Sequence, residues 1–366
     1  MEITSLVGLE HFKSLESLDL SHNRIRDLTP LAGLTELATL ALRFNRIENL
    51  TAIGAILSLQ SLDLRANRIF ELPILDLPNL SHLDLARNNL TNTDGIALLA
   101  FLESLTLSNN QITDVQALSA LTSLQSLDLD GNIVHDISPL FGQTQLVFLN
   151  LLRNQVNDLE PLRSLTALNR LCMAFNQIRD IRPLSTLTNL DWLDISCNDI
   201  VDISALSSAT RLTVLLAGAN RIADIVPLEP LALEELSLGD NALTSLSPAL
   251  SGVLGPDALL VIAGNPLSIT ATEETIPALQ SAGIEVEVNR STIVSFADNA
   301  LESVVREAIA RPLGFIFLDA IGDLTALHAA AGITDISGIE HLHNLQTSTC
   351  RAMRSSILHH SRTFTD

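Results

Sequence analysis

The chain has 366 residues, 47% of them hydrophobic, and carries a formal net charge of −21 with a pI of about 4.6. A field of that sign repels phosphate backbones and anionic lipid, so no nucleic-acid partner and no membrane-surface partner is expected. No apolar run approaches the ~18 residues of a membrane span, so no membrane insertion is expected. The opening MEITSLVGLEHFKSLE has neither the basic start nor the apolar core of a secretory signal. Cys172, Cys197 and Cys350 are odd in number and form no CxxC, so the thiols are read as free and structural. Basic residues are almost all arginine, twenty against the lone Lys13, which points to coding composition rather than function.

From the N-terminus onward one asparagine recurs at a near-fixed interval: Asn23, Asn45, Asn67, Asn88, Asn110, Asn132, Asn154, Asn176, Asn198, Asn220 and Asn241. The steps are 22 residues, with two of 21, and each asparagine closes the phrase LxxLxLxxN. Asn265 ends a degenerate twelfth copy, DALLVIAGN. A fixed period of this length defines a solenoid, because each unit buries its apolar face only against its neighbours. The phrase resembles the leucine-rich-repeat signature. The fold class that follows is α/β: a right-handed leucine-rich-repeat solenoid, or horseshoe, with a parallel concave sheet and short convex helical turns.

Residues 168–189 show how one unit is expected to work. Leu171 and Met173 alternate with Arg170, Cys172 and Ala174, the period of a strand. Asn176 follows, where its amide can satisfy backbone groups of adjacent turns that burial would orphan, at about 1–3 kcal/mol each. Ile178 and Ile181 turn inward, and Pro183 opens a helical turn whose Leu184 and Leu187 complete the core. In Thr29–Pro30 and Ser138–Pro139 the hydroxyl before the proline is expected to cap that turn. Gln143 and Ala209 stand where leucine is expected and mark soft spots. Asp27, Asp114, Asp136, Asp158, Asp180, Asp202 and Asp224 all stand four residues after their asparagine. With no dense calcium-loop pattern beside them, they read as loop-capping carboxylates rather than a cation site.

DIRPLSTLTNL (180–190) and DISPLFGQTQL (136–146) are the clearest copies of a closing phrase, DIxPLxxLTxL. This phrase resembles the bacterial internalin-like class of leucine-rich repeats over nearly the whole chain. The resemblance implies a surface or secreted protein whose concave sheet grips a partner protein, with this chain expected to be a fragment of it. It leaves the ligand and the compartment unassigned, since one scaffold carries many ligands. Two alternatives stand beside it: an intracellular regulatory subunit like the 22-residue-repeat regulators of protein phosphatase-1, and a truncated product without a function of its own.

The array is expected to span 1–265, without an N-terminal cap, so that the Leu15–Leu20 edge lies open. Residues 266–288 read as a C-terminal cap of one helix and a last strand at 284–288, and 289–297 as a linker. DNALESVVREAIA, 298–310, forms an amphipathic helix with Leu301, Val304, Val305, Ala308 and Ile309 on one face. Residues 298–346 then read as the helical cap and first turn of a second array. ITDISGIEHLHNL from Ile333 matches ITSLVGLEHFKSL from Ile3, an offset of 330, or fifteen steps of 22. Past Gln346 the match breaks: Ser348 and Cys350 replace core leucines and Met353 replaces the asparagine, so 347–366 reads as an out-of-register tail.

No GxSxG, HExxH, phosphate loop or nucleophile–base grouping is present, so neither an enzyme nor a cofactor or metal site is expected. The outward strand positions carry the functional signal instead. The third position of the phrase runs Ser17, Thr39, Ser61, His82, Ser104, Ser126, then Phe148, Arg170, Trp192, Val214 and Glu235. The fifth runs Asp19, Ala41, Asp63, Asp84, Thr106, Asp128, Asn150, Cys172, Asp194, Leu216 and Ser237. A Ser/Asp ladder on six turns needs only solvation, whereas Phe148, Arg170, Trp192 and Val214 on four consecutive strands do not fit that pattern. Strand spacing allows Arg170 to lie between Phe148 and the single Trp. The expected protein-binding set is Phe148, Asn150, Leu152, Arg170, Trp192, Asp194, Val214 and Leu216, with cross-strand stabilisation of the sheet as the competing role. Phe44 and Phe175, just before their asparagines, read as edge packing.

Overall fold

The structure is a computed structural model describing residues 2–288 and, beyond them, 293–294, 296, 299–309, 316–317, 321, 324–329, 338, 342 and 347–350. The chain divides into two compact units, Met1–Val288 and Asn289–Asp366.

The first unit is an open sheet of 13 parallel strands in strict chain order, from Ser17–Asp19 to Glu285–Glu287. Equivalent residues pair directly, Leu18 with Leu40 and Leu149 with Leu171. Each strand is short because its two inward leucines only have to reach one core, and the chain then leaves for the convex side. Between Asn154 and Asn176 the inward set is Val156, Leu159, Leu162, Leu165, Leu168, Leu171 and Met173, none more than 1% exposed. Each such side chain contributes roughly 1.5–3 kcal/mol when fully covered. The first strand is one edge of the sheet. Leu18 is only half-buried there, while Leu40 on the next strand is covered.

The asparagines hold the turns together in a shared pattern. Asn154 Nδ2 donates to Leu151 O in its own turn and to Leu129 O in the preceding one, at 3.3 and 2.9 Å. Its Oδ1 accepts the Val134 N–H at 2.9 Å. Leu129 O is therefore reached by two asparagines, since Asn132 Nδ2 also donates to it at 2.9 Å. The same double reach recurs along the array, for example at Leu107 O and Leu151 O.

The residue before the asparagine adopts a left-handed backbone in turn after turn. His22, Phe44, Ala66, Arg87, Asn109, Arg153, Phe175, Cys197, Ala219 and Asp240 have φ between 51 and 60°, and Gly131 has 65°. Non-glycine residues pay roughly 1–2 kcal/mol in this region, so the ladder outweighs local preference at each of these sites. Phe175 is exposed, and Phe44 stacks on His22 with ring centroids 4.6 Å apart.

The convex turns are 3-10 segments such as Arg182–Thr186, with Pro183 in the first turn. Their capping follows the reading of the aspartates as loop caps and departs from the expected hydroxyl caps at Thr29 and Ser138. The acceptor is the aspartate two residues earlier: Asp27 accepts the Thr29 N–H and Asp136 the Ser138 N–H, at 2.9 and 2.8 Å. Thr29 Oγ1 itself donates to Asp27. Asp114, Asp158, Asp180, Asp202 and Asp224 accept in the same way. These carboxylates satisfy backbone donors, and the hydroxyls are not the caps. Gln143 is buried with Nε2 donating to Leu118 O at 2.8 Å, while its Oε1 finds no partner among the described residues. Ala209 is buried and leaves no leucine-sized side chain at its position.

The third turn, one residue short, runs without a 3-10 segment. Its backbone presses on Gly95 of the next turn, where a Cβ would meet Pro73 O at 2.5 Å. At the C-terminal end Ala271–Thr275 and the helix Ile276–Ser281 lead into the last strand, Glu285–Glu287.

In the second unit the helix Asn299–Ala308 buries Leu301 and Val305 with Phe296, Ile316 and Leu327. Ile293–Val294 pairs antiparallel with Ile316–Phe317, so a strand falls inside the segment read as a linker. Ala326–Ala329 pairs parallel with Thr347–Cys350, a step of 21 residues. That strand begins where the 330-residue offset places Ser17–Asp19, although its sequence lacks the leucines. Residues 351–366 lie outside the described residues.

Candidate functional site: the concave face

Strand pairing brings the third-position column into one line. Phe148 pairs with Arg170, Arg170 with Trp192, and Trp192 with Val214. Arg170 is exposed, and Phe148, Trp192 and Val214 are partly exposed. Among the described residues the Arg170 side chain forms no hydrogen bond and no ion pair, and no cation–π contact joins it to either ring. Three apolar groups and one guanidinium therefore face solvent together on four adjacent strands.

The other four members of the expected binding set lie lower. Asn150, Leu152, Asp194 and Leu216 are buried. The alternation of the strand points the fifth position toward the concave side, but two things withdraw it. Asn150 Oδ1 accepts the Leu152 N–H at 3.0 Å, and Asp194 Oδ1 accepts the Ser196 N–H at 2.9 Å. Burial of this column also coincides with the bulky third-position residues, since Asp63, Asp84 and Asp128 on earlier strands are less covered. The fifth-position acid is thus a backbone acceptor along the array, as Asp19, Asp63, Asp84 and Asp128 repeat the same bond two residues ahead. Sequence reasoning missed this role. The signal was available in the spacing, because Asp and Asn bond their own backbone two residues on.

Burial on the concave floor shifts its titratable groups. Desolvation, partly opposed by the Asp130 N–H, pushes the Asp128 carboxyl up to about 6, and desolvation also raises Asp84. Cys172 is buried with its thiol 3.9 Å from Asp194 Oδ2, and desolvation followed by the Asp194 charge raises its pKa. The Cys197 thiol is pushed up to about 11, again chiefly by desolvation. Both thiols are free, and neither has the depressed pKa of a nucleophile. Among the described residues no group of three or more His, Cys, Asp or Glu is arranged to hold a metal ion, and no helix is long and apolar enough to cross a membrane.

The fold and its asparagine ladder define a leucine-rich-repeat protein. Residues 13–55 and 101–142 match the family described as Leucine Rich repeats (2 copies), and 76–99 match the single Leucine Rich repeat. The solved internalin InlF from Listeria monocytogenes is 31% identical, with a TM-score of 0.73 over 78% of this chain and 84% of that one. The chain belongs to the internalin-like leucine-rich-repeat proteins. The fold is also shared by the plant peptide hormone receptor RGFR1 in complex with RGF2, at 22% identity and TM-score 0.62 over 71% of this chain and 49% of that one. TLR13 in its ssRNA13 complex is 24% identical with TM-score 0.60, over 80% of this chain and 50% of that one. A comparison with curated protein sequences finds no match.

Proposed function

We propose that this chain is a non-enzymatic recognition module that takes a protein partner on its concave face across Phe148, Arg170, Trp192 and Val214. The observation that carries the reading is the change in the third column: four consecutive strands replace small polar residues with partly exposed aromatic, aliphatic and arginine side chains. Aromatic residues and arginine dominate interface hot spots, and an apolar cluster on a solvated face wants a partner. The buried Asn150, Leu152, Asp194 and Leu216 then act as the bed on which these side chains sit. A protein is favoured over a nucleic acid because a chain of charge −21 repels a phosphate backbone. Membership of a family of repeat scaffolds supports display of a surface rather than catalysis. The test is a pull-down with Phe148→Ala and Trp192→Ala against wild type. Loss of the retained partner at unchanged melting temperature supports the site, and unchanged retention makes the column a structural feature of the sheet.

A further inference from the structure

A second surface lies on the rim where the strands end, in turns two and three. Arg43 and Arg46 stand on one turn, Arg65 and Arg68 on the next. The turns are bonded in register, Phe44 N–H to Arg65 O and Arg68 N–H to Ile47 O, both at 2.9 Å. Arg43 therefore stands beside Arg65 and Arg46 beside Arg68, at the ~4.8 Å spacing of adjacent strands. Like charges opposite one another on adjacent turns repel, as they do across a sheet, and here two such pairs stand three residues apart in a chain that is acidic overall.

None of the four guanidinium groups forms an ion pair among the described residues. Asp19 and Asp84 feel Arg43, and Asp84 also feels Arg65, but only at longer range. Arg65 Nε is buried and has no hydrogen-bond partner among the described residues. Arg43 and Arg68 are exposed, and Arg46 and Arg65 are half-exposed. Arg24 continues the Arg46–Arg68 row by one turn and is already paired with Glu2. Several other surface arginines are matched: Arg182 with Asp180, Arg163 with Glu160, Arg179 and Arg221 with Asp199. Arg170 on the concave column is not matched among the described residues, but it stands alone there rather than beside a second arginine.

We propose that this rim binds a short acidic segment of a protein partner, with carboxylates bridging the arginine pairs. Guanidinium groups take carboxylates through two parallel hydrogen bonds, and a bridging carboxylate turns each repulsive pair into an attractive set. The extent of the rim fixes the kind of anion. Two to three turns cover only about 10 Å, room for a few charges. A long polyanion would run off the rim onto the rest of an acidic chain. This surface is separate from the concave column of turns seven to ten and does not depend on it.

The test is fluorescence anisotropy of a labelled hexaglutamate peptide with the full chain at low ionic strength. Saturable binding is expected, weakened by about tenfold or more in Arg46→Gln/Arg68→Gln and in Arg43→Gln/Arg65→Gln, and weakened by added salt. Arg182→Gln should bind as wild type. Because the pairs repel, both double variants should melt no lower than wild type, and Arg46→Lys/Arg68→Lys should retain part of the binding. The proposal is overturned if hexaglutamate does not bind, if the double variants bind it equally, or if they melt lower than wild type. It is likewise overturned if a heparin hexasaccharide or a short oligothymidylate binds the rim while hexaglutamate does not.

Discussion

Replacing Asn154 with alanine removes four hydrogen bonds, yet the structure predicts a single orphan. The bonds run from Nδ2 to Leu129 O, Leu151 O and Leu152 O, and from the Val134 N–H to Oδ1. Leu129 O keeps Asn132 at 2.9 Å, Leu151 O keeps Asn176 at 2.8 Å, and Leu152 O keeps the Gly131 N–H at 2.9 Å. Only the buried Val134 N–H is left without a partner, and an orphaned buried group costs about 1–3 kcal/mol. Urea unfolding of Asn154→Ala followed by circular dichroism should show a loss in that range with an unchanged denaturant slope. Asn132→Ala should behave alike, orphaning the Ile112 N–H. Together they strip both donors from Leu129 O, so the double variant should lose about 1 kcal/mol or more beyond the sum. Additivity within about 0.3–0.5 kcal/mol would refute the shared-carbonyl account.

Other perturbations follow from the same geometry. Asp128 has a folded pKa of about 6 against an ordinary value of 3.8, so ionising it opposes folding; the cost is absent below about pH 4 and complete above about pH 6. Asp128→Asn keeps the acceptor, as Asn150 does one turn on, and should stabilise the chain by about 1–3 kcal/mol at pH 7.5 with no gain at pH 4, read from unfolding midpoints at both pH values. Ala219 sits at φ 54°, so Ala219→Gly should raise stability by about 0.5–1 kcal/mol once the freer unfolded chain is allowed for, and a lower melting temperature would contradict it. Gly95→Ala should lower the melting temperature and loosen hydrogen-exchange protection in the third and fourth turns, because the added Cβ meets Leu72 Cβ and the Leu72 and Pro73 carbonyl oxygens, none of which can swing aside without moving backbone.

The array was legible because its leucines and asparagines repeat at one spacing and have one job each. Periodicity assigns a residue to a face, and that placed Phe148, Arg170, Trp192 and Val214 in one column. It does not say what covers that face. Asn150 and Asp194 point toward the concave side and are nonetheless buried backbone acceptors. Capping was half legible: the aspartates were recognised as loop caps, but Thr29 and Ser138, good capping types, were also expected to cap, and the aspartate two residues earlier is better placed. The left-handed residue before each asparagine left only a partial trace: Asn109, Gly131 and Asp240 favour positive φ, but Phe44, Ala66 and Arg87 do not. Tertiary bonding sets the conformation at those three, and local preference does not reveal it. The arginine rim was visible as composition only, and became a surface once adjacent turns were in register.

The central claim is that one stretch of an otherwise generic concave face does the recognising. The most direct measurement is the dissociation constant, for the partner retained by wild type, of Trp192→Ala beside wild type, with thermal melts of both. A loss of about thirtyfold or more at an unchanged melting temperature, the size expected of an aromatic hot spot, is the predicted result. An unchanged dissociation constant would contradict it and leave Trp192 as a cross-strand support of the sheet.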